Sequence, residues 1–374
     1  MRLCNKRHIF FFFLLVASSF AIWAQAPASS QSSKPEQQTP LTVDRDPIVS
    51  PDAADNQPVS PSNPNAVRPG TDLEKEKGGF TFRRDVDEVV LNATVLDDNG
   101  RIVNDLKQDN FHVFEDGVQQ TIAAFQHQDI PVSMGFLIDN SGSMRDKRAA
   151  VNTAALDLVK ASNPQDEAFI VNFSDEAFID QDFTSNIAKL RDGLAHIDSK
   201  GGTALYDAVV ASADQLAKGA KRPKQVLLII TDGEDNASSL NLEQTIRRVQ
   251  DLQGPVVYSI GLLFGDEGGG REAHRAKRAL QLLSNETGGI AYFPKSLENV
   301  DQICAEVAHD IRNQYTIGYH STKPASQGGY RVVKVQAAAP GHGKLVVRTR
   351  SGYYPKTDKS NPAENTAQRK APAK

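Results

Sequence analysis

VSMGFLIDNSGSM, residues 132–144, decides the fold. Residues 132–138 form an apolar run as long as one strand, of the kind found where a parallel sheet is covered on both faces. The run stops on Asp139, and Asn140, Ser141, Gly142 and Ser143 follow with the composition of a turn. Residues 149–159 then read as a helix. A buried strand that ends on a carboxylate and turns into a helix is the opening of a βα unit.

The alternation continues outward from there. Strands are expected at 168–173, 226–230 and 256–262, with short ones at 178–183 and 290–293. Helices are expected at 187–197, 204–216, 271–284 and 300–311. No element is assigned between 234 and 255. This succession predicts a doubly wound, mostly parallel α/β sheet over residues 130–313, with its site at the carboxyl ends of the strands.

Three segments place oxygen ligands at that edge. Asp139, Ser141 and Ser143 lie on the first strand-to-helix turn, Thr203 follows Gly201-Gly202 before a helix, and Asp232 ends the 226–230 strand. Carboxylates and hydroxyls on converging loops suit a hard cation such as Mg²⁺, which takes oxygen ligands in near-octahedral order. Singly, each piece has a plainer account. Ser143 is a possible helix cap, Gly201-Gly202 an ordinary turn, and Asp232-Gly233 a common turn dipeptide. Together, in this order and at these strand ends, they read as one site.

The pattern resembles the metal-ion-dependent adhesion site of von Willebrand factor type A domains, the fold shared with integrin I domains. The resemblance covers residues 130–313. The family's Asp-x-Ser-x-Ser is matched by Asp139, Ser141 and Ser143, its distant Thr by Thr203 and its late Asp by Asp232. It implies one Mg²⁺ or Mn²⁺ per chain, with one coordination position left for an acidic side chain of a protein ligand. It implies no enzymatic activity. The flanking segments resemble those of secreted bacterial members.

Those flanks read as β. Residues 80–129 alternate apolar and polar positions around turns at Asp98-Asn99-Gly100 and Glu115-Asp116-Gly117, and residues 314–355 do the same around Gly328-Gly329 and Gly341-His342-Gly343. Three strands alone make a poor core, so the two sets are expected to complete one sandwich with the α/β domain inserted between them. Asp97 and Asp98 are read as turn residues rather than calcium ligands, because the spaced acidic loop of a calcium site is missing.

The chain begins with Arg2, Lys6 and Arg7, an apolar stretch over 9–24, and Ala24-Gln25-Ala26, the pattern of a secretory signal peptide. The competing reading is an uncleaved inner-membrane anchor, for which the apolar run is short against the roughly 20 residues of a spanning helix. Removing residues 1–26 takes away three positive charges and no negative one, so the net charge moves from −4 to −7. An acidic chain has no field to gather nucleic acid. Cys304 is then the sole cysteine, and its spacing with Ile303, Val307 and Ile311 makes it a buried small hydrophobe. Residues 27–79 and 356–374 are rich in Pro, Ser, Gln and Asn and read as flexible. An exported protein, periplasmic or extracellular, is expected.

Two other classes compete. A magnesium-dependent phosphohydrolase also starts from an Asp at a strand end, but commonly needs a second acid two residues on, where this chain has Ser141. An assembly or scaffolding factor with a structural metal is compatible with every motif. Gly268-Gly269-Gly270 lacks the Lys-Ser/Thr of a phosphate loop. The histidines are scattered, with no pairing at ligand spacing. Glu234 and Asp235 are read as solvated loop acids.

Overall fold

A computed structural model of the chain describes residues 88–356, apart from 161–162, 196–198, 253 and 265–269. Residues 1–26, read as a signal peptide, residues 27–87, residues 357–374 and Gly268-Gly269 lie outside the described residues.

The chain enters through four strands: β1 (Glu88–Leu96), β2 (Phe111–Glu115), β3 (Val118–Gln120) and β4 (Ile122–Gln126). Val89, Leu91, Ala93 and Val95 alternate along β1 and all point into one core, as a period-two pattern requires.

The central sheet follows. Its elements are β5 (Val132–Asp139), α1 (Arg148–Lys160), β6 (Glu167–Phe173), β7 (Ala177–Thr184), α2 (Ile187–Leu194), α3 (Leu205–Gly219), β8 (Lys224–Thr231), α4 (Leu242–Asp251), β9 (Val256–Gly261), α5 (Arg271–Thr287), β10 (Ala291–Tyr292) and α6 (Val300–Arg312). Strand order is β10-β9-β8-β5-β6-β7. All neighbours are parallel except β7, which runs antiparallel on the edge. Every residue of β5 is buried. Met134, Phe136 and Ile138 face a core shared with α1, α2 and α6, while Leu137 faces the core of α3, α4 and α5. Successive strands lie on opposite sides of β5, so the order reverses there and opens a crevice at the carboxyl ends of β5, β6 and β8.

Sequence reading assigned no element to α4. The reason is its narrow apolar face: only Thr245 and Val249 are buried in its ten residues. Its start was nonetheless written in the sequence, as a capping box between Asn241 and Gln244. Cys304 lies on α6, free and 1% exposed, and burial pushes its thiol pKa up to about 12.

The chain then returns to the first strands through β11 (Tyr315–His320), β12 (Arg331–Ala337), β13 (Val346–Arg348) and β14 (Gly352–Tyr353). Two antiparallel four-stranded sheets result, β13-β1-β11-β4 and β14-β12-β2-β3. Each takes strands from both sides of the central domain, as expected of one shared sandwich. Glu115 and Arg331 meet inside it at 3.3 Å, each side chain 1% exposed, and Tyr319 and Tyr353 donate to Glu115 Oε2 at 2.7 and 2.8 Å. Arg331 Nη1 and Nη2 also reach Ser321 Oγ, Lys323 O and Pro324 O, and such added hydrogen bonds make a buried ion pair tolerable.

Candidate functional site

The end of β5 brings a carboxylate into the crevice and holds it on two sides. Asp139 Oδ1 accepts the Ser141 backbone N–H at 2.8 Å, and Oδ2 accepts the Thr231 hydroxyl, from the last residue of β8, at 2.6 Å. Asp139 is fully buried, and burial raises its pKa to about 6; nearby Asp232 pushes in the same direction. A carboxylate kept in such a place calls for positive charge nearby.

The two serines continue the line of oxygens. Ser141 Oγ and Ser143 Oγ lie 3.1 Å apart, and Ser143 Oγ donates to Asp232 Oδ1 at 2.8 Å. Lys147 Nζ stands 2.5 Å from the other oxygen, Asp232 Oδ2, whose side chain has no exposure. Asp139, Ser141, Ser143 and Asp232 are therefore linked through short contacts across two loops. Thr203 stands beside them, its hydroxyl facing Gly233 at 3.5 Å from where a β-carbon there would lie. Among the described residues Thr203 Oγ1 makes no hydrogen bond to the other four.

The loop carrying Thr203 is fixed by residues that sequence reading did not single out. The Gly202 N–H donates to Asp175 Oδ1 at 2.7 Å, and the Thr203 N–H to Asn236 Oδ1 at 2.8 Å. The Asn236 N–H returns a bond to Thr203 O at 3.0 Å, and the Lys200 N–H donates to Asn140 O at 3.0 Å. Gly201 has φ +79°, and a β-carbon there would collide with the Asp175 carboxylate, so glycine is required twice over.

Glu234 and Asp235 are not solvated loop acids. Glu234 pairs with Arg275 of α5 at 2.5 Å. Asp235 Oδ2 accepts the Tyr206 N–H at 3.0 Å, and Ser238 Oγ accepts the Asp207 N–H at 3.1 Å. The N-cap residue of α3 is Ala204, which has no side-chain oxygen. The cap is supplied instead by the loop after β8, which thereby locks the Thr203 and Asp232 segments together. The Asp97 carboxylate is taken by its own turn, accepting the Asn99 and Arg101 N–H groups at 2.9 and 2.8 Å.

Among the described residues no three His, Cys, Asp or Glu side chains gather as a metal cluster. The candidate site has two carboxylates and complements them with hydroxyls. An all-oxygen donor set with two buried acids matches a hard divalent cation, and the Lys147 ammonium already stands against one of those acids.

A family model for the von Willebrand factor type A domain matches residues 134–234. Inter-alpha-trypsin inhibitor heavy chain H4 of Sus scrofa is 25% identical over 189 residues, covering 47% of this chain and 19% of that protein. Uncharacterized protein sll0103 of Synechocystis sp. is 22% identical over 187 residues, covering 48% of this chain and 44% of that one. The chain thus spans less than half the length of either relative. A von Willebrand factor type A structure from Catenulispora acidiphila aligns over 73% of this chain and 75% of its own, at 12% identity and a TM-score of 0.42. An aerotolerance-related membrane protein from Bacteroides fragilis NCTC 9343 aligns over 48% and 98%, at 20% identity and a TM-score of 0.40.

Proposed function

We propose that the chain is an exported, non-enzymatic protein that holds one divalent cation and binds a partner protein through it, a reading supported by the match of residues 134–234 to the von Willebrand factor type A model. Asp139, Ser141, Ser143, Thr203 and Asp232 hold the ion, Mg²⁺ or Mn²⁺. When bound, the cation supplies a Lewis-acidic position that accepts a carboxylate oxygen from the partner. The protein's own groups do the rest. Thr231 and the Ser141 N–H orient Asp139, Asp175 and Asn236 hold the Thr203 loop, and burial keeps the acids away from competing water.

The observation that carries this reading is the unbroken contact from Ser141 Oγ through Ser143 Oγ to Asp232 Oδ1, beside the buried Asp139 carboxylate. A phosphohydrolase reading has no support in this geometry, because the position two residues after Asp139 presents a hydroxyl. The partner class is an acidic protein surface. Among the described residues no helix is long and apolar enough to cross a membrane, and export rests on the signal-like start of the chain.

The test is affinity capture from envelope and culture supernatant with Mg²⁺ present, with EDTA, and with Asp139→Ala. Capture of one partner that is lost in the second and third conditions supports the reading. Capture that survives chelation overturns it and favours a scaffolding role.

A further inference from the structure

The start of α1 runs against helix electrostatics. A helix N-terminus carries partial positive charge and favours acids. Here the carbonyl of Lys147 accepts the Val151 N–H at 3.1 Å, Arg148 follows at once, and the first turn holds no acidic residue. Two cations sit where the helix disfavours them, which marks a place where local stability yields to another demand.

The demand comes from the two buried acids. Arg148 lies beneath the loop, wholly buried, with Nη2 on Asn172 Oδ1 at 2.8 Å; burial works against its charge, while Asp139 and Asp180 act to keep it ionised. Lys147 meets Asp232 at 2.5 Å. Three fixed acids, Asp139, Asp180 and Asp232, thus face two positive groups within the chain itself. A divalent cation added to this set leaves an excess of positive charge unless one of the two withdraws. Arg148 has no route to solvent. Lys147 does: its side chain is 16% exposed on a flexible four-carbon stem, and its ammonium already lies over the Phe264 ring, 5.8 Å from the centroid. An aromatic face is a favourable second position for an ammonium.

We propose that Lys147 is a built-in competitor of the divalent cation, neutralising Asp232 until the ion arrives and then withdrawing toward the Phe264 face and solvent. This inference rests on the cation reading of the site. It makes the affinity for the ion weaker than the same oxygens would otherwise give, and it sets the cation concentration at which the ligand-binding state forms. It also removes any need for metal in order to fold, since the acids never stand together without positive charge.

Calorimetric titration of the full chain with MgCl₂ and with MnCl₂ tests this, using wild type, Lys147→Met, Lys147→Gln and Lys147→Arg. The two neutral variants should bind about tenfold more tightly, the size expected from removing one partly exposed competing charge. Lys147→Arg should bind no more tightly than wild type. Thermal melts supply a second readout, in which a crossover between the two conditions separates a competing lysine from a merely structural one. The neutral variants should melt below wild type in EDTA and at or above it in excess Mg²⁺. Equal affinities in all four proteins, with binding lost in Asp139→Ala, would overturn the role of Lys147 while sparing the cation site. Absence of binding in every protein would overturn both. Should Lys147→Met fail to fold, Lys147→Gln carries the comparison.

Discussion

Arg348 closes on Asp310 with Nη2 2.7 Å from both carboxylate oxygens, and so fastens β13 of the sandwich to α6 of the central domain. Tyr258 donates to the same carboxylate at 2.5 Å, and Gln314 Nε2 reaches the Tyr258 hydroxyl at 3.1 Å. Lys224 Nζ donates to Ile311 O. The last turn of α6 is gripped from the sheet beneath it and from the strand beyond it.

Removing Arg348 leaves a carboxylate that is only 4% exposed without its counter-charge, with Tyr258 still donating to it. Arg348→Ala should therefore lower stability by about 3–5 kcal/mol, the range for breaking a buried pair on one side. Urea titration gives the number, and replacing both partners by apolar residues should recover part of it. Native-state amide exchange should show the loss of protection concentrated in residues 300–319. In the intact protein a carboxylate ligand with Mg²⁺ should leave that segment unchanged. Altered protection there would mean that α6 moves despite the clasp.

Ser143 is exposed and Ser141 is buried, and the Asp139–Ser141 backbone bond needs no side chain. Ser141→Ala/Ser143→Ala should abolish Mg²⁺ binding in calorimetry while costing about 1–3 kcal/mol of stability, because the buried Asp232 loses the Ser143 hydroxyl. Full-strength binding in the double variant would exclude these residues as ligands.

Gly201→Ala places a side chain at φ +79° and against Asp175. The expected loss is about 1–2 kcal/mol for forcing a left-handed backbone on alanine. Cation affinity should fall with it, because the Thr203 loop must shift. A variant of unchanged stability and affinity would show that the loop adapts freely.

Lys224 lies 3% exposed near Asp310, Asp129, Asp166 and Arg312, and burial lowers its pKa from 10.5 to about 8. Between those two values the unfolded chain binds more protons at this residue than the folded one, so its contribution to stability rises with pH. Wild type should gain on Lys224→Met by on the order of 2 kcal/mol between pH 8 and pH 10. Tyr258, whose pKa is pushed up by burial, opposes this trend at higher pH but does so in both proteins. A flat difference between them across this window would refute the assignment.

How much of this was legible beforehand depends on how far apart the partners are in the chain. The α/β order could be read because β5 and β8 are apolar on both faces, which leaves one architecture for them. The Asp139, Thr203 and Asp232 segments could be read because strand ends and glycine turns mark them locally. What holds them could not. Asp175 meets Gly202 across 27 residues, Asn236 meets Thr203 across 33, and Asp235 caps a helix that begins 30 residues earlier. Helix α4 was missed for a different reason, its shallow burial. Lys147 passed unread, because a cation beside a helix start gains its meaning only from Asp232, 85 residues away.

The sandwich is built from both sides of the central domain, and this has a consequence in time. β1 pairs with β11, roughly 220 residues further along the chain. In a chain exported N-terminus first, β1 reaches the folding compartment well before β11 does. Through that interval Val89, Leu91, Ala93 and Val95 form an apolar row whose partner does not yet exist. Completion of the central domain brings residues 132 and 312 to their places and shortens the remaining search from a long loop to a local docking. The central domain is thus the clock for the sandwich, and any variant that slows it prolongs the exposure of β1.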